Sequence, residues 1–194
     1  NGQEIKQFDG NVIINRDDLE LKTDKAIQYV DDNEIHLYGN INMIDNETNI
    51  NCDQLIYDID NEYCLGYNNV ILKQKDRTVY CDTLYYWDKK DSLKAIGNVK
   101  IVQSDQKRRL NAQEMHMFKT SLNSQILYLT KSAEAFNITE TKVSEDSPMM
   151  LFEDEMKGNR MEAIIENDIL KNLNIFAIAI ANYHVIRDSL LVGK

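Results

Sequence analysis

The stretch "LYGNINMI" (37–44) decides the fold, because its pattern occurs four times along the chain. The other copies are "FDGNVII" (8–14), "GYNNVIL" (66–72) and "AIGNVKI" (95–101). Each copy has a Gly-Asn or Asn-Asn pair followed by apolar residues at alternate positions. Alternation with a period of two is typical of a strand that buries one face, and Gly and Asn are typical turn residues. We therefore interpret the motif as a turn that leads into a half-buried strand.

The four copies have one constant spacing. The Asn that ends each Gly-Asn or Asn-Asn pair lies at residue 11, 40, 69 or 98, so each copy follows the previous one after 29 residues. A column of Asp residues at 24, 53 and 82 has the same spacing. A fourth unit continues with a slip of two residues, since "AQEMHM" (112–117) lies 31 residues beyond "CDTLYY" (81–86). A fixed period of this length indicates stacked structural repeats that share one apolar interior.

Each repeat is predicted to contain two or three short strands joined by polar turns, because β-branched and aromatic residues dominate it. The period is compatible with two architectures, a parallel β-solenoid and an antiparallel stack folded into an elongated jelly roll. Residues 153–167 have the propensity of a short helix, but "KGNRM" (157–161) again places Gly-Asn before an alternating run, which favours a strand. The polar residues 139–148 are predicted to form a loop.

The composition excludes several classes of protein. A net charge of −10 argues against nucleic-acid binding, because the phosphate backbone would be repelled. The longest apolar run, "IFAIAIA" (175–181), is too short for a membrane-spanning helix. An odd count of three cysteines without a CxxC pair argues against a disulfide framework and a zinc site, and we expect buried free thiols at Cys52, Cys64 and Cys81. The first residues are polar and form no signal peptide. A mature chain lacks its signal peptide, so this observation does not place the protein in the cytoplasm.

The repeat resembles the unit of OstA-like domains. In both, "GNV" and alternating apolar residues are followed by a small residue and Asp-x-Leu-x-Tyr, as in "CDQLIYD" (52–58) and "CDTLYYWD" (81–88). OstA-like domains are shared by periplasmic lipopolysaccharide-transport proteins of the LptA, LptC and LptD type. This chain departs from the pattern at Asn68, where Gly is usual, at Gln113, where Asp is usual, and in the acidic insertion at 139–155.

The resemblance is clear over residues 8–118 and looser over 125–194, so we expect residues 1–194 to be one OstA-like domain. The final "LLVGK" (190–194) stops within the pattern, and we expect the natural chain to continue. The resemblance implies an all-β fold, an elongated β-jelly roll open along one side and built from stacked repeats of about 29 residues.

The resemblance also implies a function. Such a domain would be a non-enzymatic periplasmic module without a cofactor, which shields the lipid A acyl chains of lipopolysaccharide in an apolar groove on the way to the outer membrane. Its partners would be lipopolysaccharide and other OstA-like transport proteins that stack through edge strands, with homo-oligomers a further form of the same association. The alternative function is a structural β-repeat scaffold that assembles with protein partners and binds no lipid. A polysaccharide-processing enzyme is disfavoured, because no pair of acids stands out beyond the repeated Asp.

The inward columns of the repeat are the predicted groove lining. They comprise Val12, Ile14, Ile41, Met43, Val70, Leu72, Val99 and Ile101. These side chains would equally well fill a closed core. The structure would discriminate between the two functions, because an open groove along the stack would support lipid transport, whereas a sealed interior would favour the scaffold. The column of Asp24, Asp53 and Asp82 is predicted to accept backbone N–H bonds at a corner of the strands rather than to bind a metal.

Overall fold

The computed structural model describes residues 3–87, 90, 92–121, 123–142, 148–167, 169–177, 179–187 and 190–193. The strands are, in chain order, β1 (Ile5–Arg16), β2 (Leu19–Tyr29), β3 (Glu34–Asp45), β4 (Thr48–Asp58), β5 (Tyr63–Gln74), β6 (Arg77–Trp87), β7 (Ser92–Gln103), β8 (Arg108–Ser121), β9 (Ser124–Thr141), β10 (Met150–Glu166), β11 (Ile169–Phe176), β12 (Ile180–Asn182), β13 (His184–Arg187) and β14 (Leu190–Gly193). Within these ranges, no helix is long and apolar enough to cross a membrane.

Twelve of the strands form a single antiparallel sheet. Strands β1 to β11 follow one another in chain order, and β12 adds to β10 beside β11. Strands β13 and β14 form a separate hairpin. The prediction of an all-β, open jelly roll is confirmed, and the antiparallel pairing excludes the parallel solenoid.

One repeat of 29 residues corresponds to one hairpin of two long strands, rather than to two or three short ones. The pairs β1–β2, β3–β4, β5–β6 and β7–β8 are the four clear repeats. Residues 153–166 lie in β10, so the strand favoured for this segment is present and the helix is not. The predicted loop at 139–148 is shorter than expected because β9 continues to Thr141, while residues 143–147 lie outside the described part of the chain.

The first strand of each repeat, β1, β3, β5 or β7, is interrupted near its middle by a β-bulge at its Gly-Asn or Asn-Asn pair. In β3, Gly39 and Asn40 have φ values of +77° and +44°, and the pairing with both neighbouring strands shifts there. Positive φ is readily adopted by Gly and tolerated by Asn, which explains why these two residue types recur. A bulge bends its strand and increases its twist. A row of bulges on alternate strands therefore bends the whole sheet along one line.

The column of Asp residues stabilises this bend. Asn40 Nδ2 donates to Asp24 Oδ2 on the preceding strand over 2.7 Å. The equivalent distances are 2.7 Å from Asn69 to Asp53 and 2.9 Å from Asn98 to Asp82, and we call each such pair a corner. The predicted role at a strand corner is thus present, but the hydrogen-bond donors are side-chain amides rather than backbone N–H groups.

The bend brings the two halves of each strand into two layers that face one another across a common core. Inward residues from before and after the corner belong to a single buried cluster, in which Leu21, Leu37, Ile50, Leu72 and Leu84 are each no more than 1% exposed. Side chains at the turns join the layers along the open side of the roll. Arg16 Nη1 donates to the Ile59 carbonyl over 3.2 Å, and Arg77 Nη2 donates to Gln125 Oε1 over 2.8 Å.

All three cysteines are buried and outside any disulfide bond between described residues, as predicted. Cys52 and Cys81 occupy the position directly before the corner Asp, where the first copy has Thr23. The Cys52 thiol donates to the Gln54 carbonyl over 3.2 Å, a contact that Thr23 Oγ1 makes with the Lys25 carbonyl over 3.1 Å. Burial raises the pKa of Cys52 and of Cys81 to about 12 from an ordinary value of 9.0.

The close contact between the corner Gly and the corner Asp predicts different effects for two matched glycine substitutions. Gly97 and Gly10 have φ values of +77° and +79°, so Ala at either position loses about 1–2 kcal/mol to the left-handed backbone. A Cβ at Gly97 would also lie 2.2 Å from Asp82 Oδ2, whereas a Cβ at Gly10 meets no atom within 4 Å. We expect Gly97→Ala to lower the free energy of unfolding by about 1–3 kcal/mol more than Gly10→Ala, as measured by urea denaturation. Equal losses would contradict a close-packed corner.

The raised thiol pKa values predict a decrease in stability at alkaline pH. A thiol with a pKa near 9 in the unfolded chain and about 12 in the folded one favours the folded state fully below pH 9, and this contribution is lost as the pH rises from 9 to 12. Relative to the double variant Cys52→Ala, Cys81→Ala, the wild type should lose up to about 1.4 kcal/mol per thiol for each pH unit in this range. Parallel curves of unfolding free energy against pH would show that the thiols ionise in the folded protein.

Candidate functional site

A cavity of about 440 Å³ lies between the two layers in the C-terminal half of the roll. This volume is within the range of roughly 300–1,000 Å³ that is typical of small-molecule sites. Strands β6 to β12 contribute to its wall, and most of the wall is apolar. Representative lining residues are Ile101, Leu110, Met115, Leu127, Ala163 and Leu173.

The cavity forms where small side chains replace branched ones in the inward columns. Lys131 and Ser132, with φ values of +62° and +65°, form the bulge of β9 in the place of a Gly-Asn pair. Ala133 and Ala135 therefore occupy in β9 the positions that Val99 and Ile101 occupy in β7. Both alanines are buried, and Ala135 lines the cavity. Because alanine fills less of the space between the layers than valine or isoleucine, the interior remains open there.

The eight predicted lining residues lie in three different environments. Ile41, Met43, Val70, Leu72 and Val99 are at most 2% exposed in the core of the four clear repeats. Val12 and Ile14, on β1, are partly buried and pack against this core at the end of the sheet. Ile101 alone of the eight lines the cavity. All eight side chains point inward as the alternation predicts, and their contact with lipid remains a prediction.

The sequence reasoning missed most of the cavity wall. Met115, Leu127, Ala163 and Leu173 lie on β8 to β11, where the repeat is irregular and the period of 29 no longer identifies inward positions. A usable signal is the pair of alanines at alternate positions in "AEAF" (133–136), since small residues in an inward column leave volume unfilled. Alternation indicates which face is buried, but the distance between two layers depends on the side chains of both.

Charged and polar groups surround the apolar wall. Arg77, Arg108, Asp76 and Asp154 contribute to the lining, so groups of both signs lie beside it. Asp154 accepts a hydrogen bond from the His184 backbone N–H over 2.8 Å, which attaches the start of β13 to β10. The arrangement can therefore hold an apolar chain in the interior and a polar or charged head at its edge.

The aromatic ring of Phe136, which lines the cavity, is covered by the guanidinium group of Arg109. The Arg109 guanidinium lies 4.1 Å from the centroid of the Phe136 ring, and Arg109 Nη2 lies 3.9 Å from Glu153 Oε2. A cation close to an aromatic ring is attracted by the ring's quadrupole. This contact stabilises one orientation of an aromatic residue in the wall.

Comparison with known proteins gives one family. A family model described as OstA-like protein matches residues 59–164, which is more than half of the chain. The matched segment includes β5 to β9 and nearly all of β10, so it covers part of the closed core together with most of the strands around the cavity. A search of curated proteins finds no match to the chain.

Matched alanine substitutions test whether the cavity is open space. Ala163 and Ala95 are both completely buried, but Ala163 lines the cavity and Ala95 lies in the closed core. Ala95→Leu should lower the free energy of unfolding by about 1–3 kcal/mol, since a packed core does not accept additional methyl groups without strain. Ala163→Leu should be neutral within about 1 kcal/mol, because its added atoms enter the cavity. Equal destabilisation in thermal or urea melts would show that the cavity is closed in solution.

Proposed function

The chain belongs to the OstA-like protein family, and from this premise we propose that it is a lipopolysaccharide-binding and transport module. The family is one of transport and binding proteins rather than enzymes, and its members are typically found in the periplasm and cell envelope. In our proposal the module acts in the periplasm, holds the acyl chains of lipid A away from water, and passes the lipid towards the outer membrane.

The observation that carries the proposal is the apolar cavity between the layers of β6 to β12. Each methylene group that is transferred from water to an apolar site contributes about 0.8 kcal/mol. One acyl chain of about a dozen methylenes therefore contributes on the order of 10 kcal/mol, before the cost of ordering the chain. A binding energy that comes from apolar burial suits transport, because it depends little on the exact structure of the acyl chain.

The polar edge of the cavity suits an amphiphile with an anionic head. Arg77 and Arg108 contribute guanidinium groups next to apolar wall residues such as Ile101 and Leu110. Guanidinium groups form strong, bidentate hydrogen bonds with phosphate, and lipid A carries phosphate groups beside its acyl chains. We propose that acyl chains enter the cavity while the phosphorylated sugar remains at this edge.

The closed core of the first repeats limits where lipid binds in this conformation. Lipid contact at Ile41 or Leu72 requires the two layers to separate along the open side, where the hydrogen bonds Arg16–Ile59 and Arg77–Gln125 join them. We therefore propose the cavity as the primary site. The predicted lining columns in the earlier repeats would be an extension of that site, reached when the layers separate.

The scaffold that binds no lipid is the second candidate function. The observation in its favour is the packed interior around Leu21, Leu37 and Leu72, which leaves no groove along the full length of the stack in the part of the chain that the structure describes. In either function, the sheet edges would pair with other OstA-like transport proteins or with a second copy of the chain, because an edge strand offers unpaired backbone groups.

Site-specific photo-cross-linking separates the two functions. A photoreactive phenylalanine analogue replaces Leu110 or Leu173 in the cavity wall, and Tyr80 on the outer face serves as control because it is 40% exposed and does not line the cavity. With purified lipopolysaccharide, we expect adducts at both cavity positions and none at Tyr80, detected by blotting for the lipid. Adding Ala163→Leu should reduce the yield at Leu110, since the leucine occupies part of the same space.

The remaining outcomes of this experiment are equally informative. A further variant carries the analogue at Ile41, and an adduct there would extend the site into the predicted columns of the first repeats. Absence of adducts at Leu110 and Leu173, in protein that melts like the wild type, would contradict lipid binding and favour the scaffold.

A further inference from the structure

The outer side of β1 carries half of a corner. Within the described residues, β1 pairs with β2 on one side and with no strand on the other. In the equivalent strand β3, one repeat later, the corresponding side is occupied by β2. The open side of β1 is therefore equivalent to the side of β3 from which Asp24 reaches the corner.

The backbone of β1 already has the conformation of a completed corner. Asn11 has a φ of +46°, compared with +44° at Asn40 and +47° at Asn98, and Gly10 has a φ of +79°, compared with +77° at Gly97. The positive-φ pair thus does not depend on the carboxylate to form. It is present in β1 before any partner strand is added.

The space that a carboxylate fills in the other corners is empty at β1. A Cβ built on Gly39 would lie 2.6 Å from Asp24 Oδ2, and one on Gly97 would lie 2.2 Å from Asp82 Oδ2. No atom lies within 4 Å of the corresponding position at Gly10. Among the described residues, no hydrogen bond is formed by the side chain of Asn11, whose counterparts each donate to an Asp.

A second group of the corner also lacks its partner at β1. In the completed copies the residue before the Asp is a short hydrogen-bond donor, Thr23, Cys52 or Cys81. Thr23 Oγ1 donates to the Tyr38 carbonyl over 2.9 Å. Cys52 and Cys81 contact the backbone at the equivalent positions, Tyr67 and Ile96, and because this contact lowers the thiol pKa, the sulfur atom accepts the hydrogen bond there. The residue of β1 that corresponds to Tyr38 is Asp9.

The inward face of β1 is exposed where an additional strand would cover it. Phe8 is 49% exposed, whereas Leu37, its equivalent one repeat later, is 1% exposed. An apolar side chain of the core column thus lies at the open end of the stack. In repeat proteins, such an end needs either a polar cap or a neighbouring module.

We propose that the open edge of β1 is a receptor for an antiparallel strand that carries a Thr-Asp or Cys-Asp pair. The Asp carboxylate accepts a hydrogen bond from Asn11 Nδ2 and fills the space above Gly10, while a Thr hydroxyl donates to the Asp9 carbonyl oxygen as Thr23 does to that of Tyr38. The proposal builds on the edge-strand pairing in the proposed function and is independent of lipid binding.

In our proposal the partner strand belongs to another OstA-like chain, because β11 and β12 of a second copy do not fit the corner. Strand β11 has the sequence "ILKNLNIF" (169–176) and β12 has "IAN" (180–182), and neither contains Asp. A second copy joined through β11 or β12 would leave Asn11 without its carboxylate. The Asp requirement thereby gives this edge selectivity beyond backbone pairing, which by itself tolerates most sequences.

A peptide with the sequence of β4 tests the proposal. The probe is "TNINTDQLIYD", the sequence of residues 48–58 with Thr in the place of Cys52, labelled with a fluorophore, and the matched probe has Ala at the position of Asp53. Fluorescence anisotropy measures the Kd of both probes for the wild type, Asn11→Ala and Asn15→Ala. Asn15 is an exposed residue of β1 away from the corner and serves as control.

We expect the Asp probe to bind the wild type and Asn15→Ala about tenfold more tightly than the Ala probe, and Asn11→Ala to bind both probes alike. In the wild type, the Asn11 side-chain amide resonance should shift with the Asp probe and remain in place with the Ala probe. Equal affinities of the wild type for both probes, or no binding of the Asp probe, would overturn the proposal. No lipid is present in this experiment, so its failure leaves the cross-linking result unaffected, and a failure of lipid cross-linking leaves this result unaffected.

Discussion

The architecture depends on one repeated hydrogen bond, between an Asn amide in a positive-φ bulge and an Asp carboxylate on the preceding strand. Each such corner bends its strands at the same height, so consecutive corners align and the sheet folds along a line. Without the bend, a sheet of this length would expose its apolar face to water over its whole width. The bend converts that face into the core between two layers, so a local polar interaction creates the apolar interior.

Every repeat contributes inward apolar columns to the interior, but the unfilled volume between the two layers differs between the two halves of the roll. Where Ile41, Val70 and Val99 fill the column after the corner, the layers meet and water is excluded. Where Ala133 and Ala135 occupy that column, the layers enclose the cavity. In the same region Gln113 stands where the regular corners have Asp, and a surface ion pair between Lys131 and Glu114 lies beside the bulge. The candidate site therefore lies where the repeat departs from its own pattern, as is common for functional sites built on regular scaffolds.

The properties of the two end strands of the sheet follow from the same stacking of hairpins. A stack of hairpins has an unpaired strand at each end of the sheet, and its inward columns are exposed there as well. At β1 the edge retains the bulge conformation, and among the described residues the Asn11 amide has no hydrogen-bond partner, so we propose that the edge requires a carboxylate in addition to backbone pairing. In our proposals, the same repeated unit provides both the lipid-binding interior and the edge for assembly.

The sequence by itself determined the strand content, the period of 29 residues, the inward columns, the corner position of the Asp residues and the family. These properties are local or repeat at a constant spacing, so residue type and alternation suffice to identify them. Only the tertiary structure decided that the strands pair antiparallel, that Asp53 accepts from Asn69 rather than from the backbone, and that Ile101 faces open space whereas Leu72 does not. The physical reason is that the space between two layers depends on side chains that are distant in sequence, and no pattern within one strand records the volume that the opposite strand leaves unfilled.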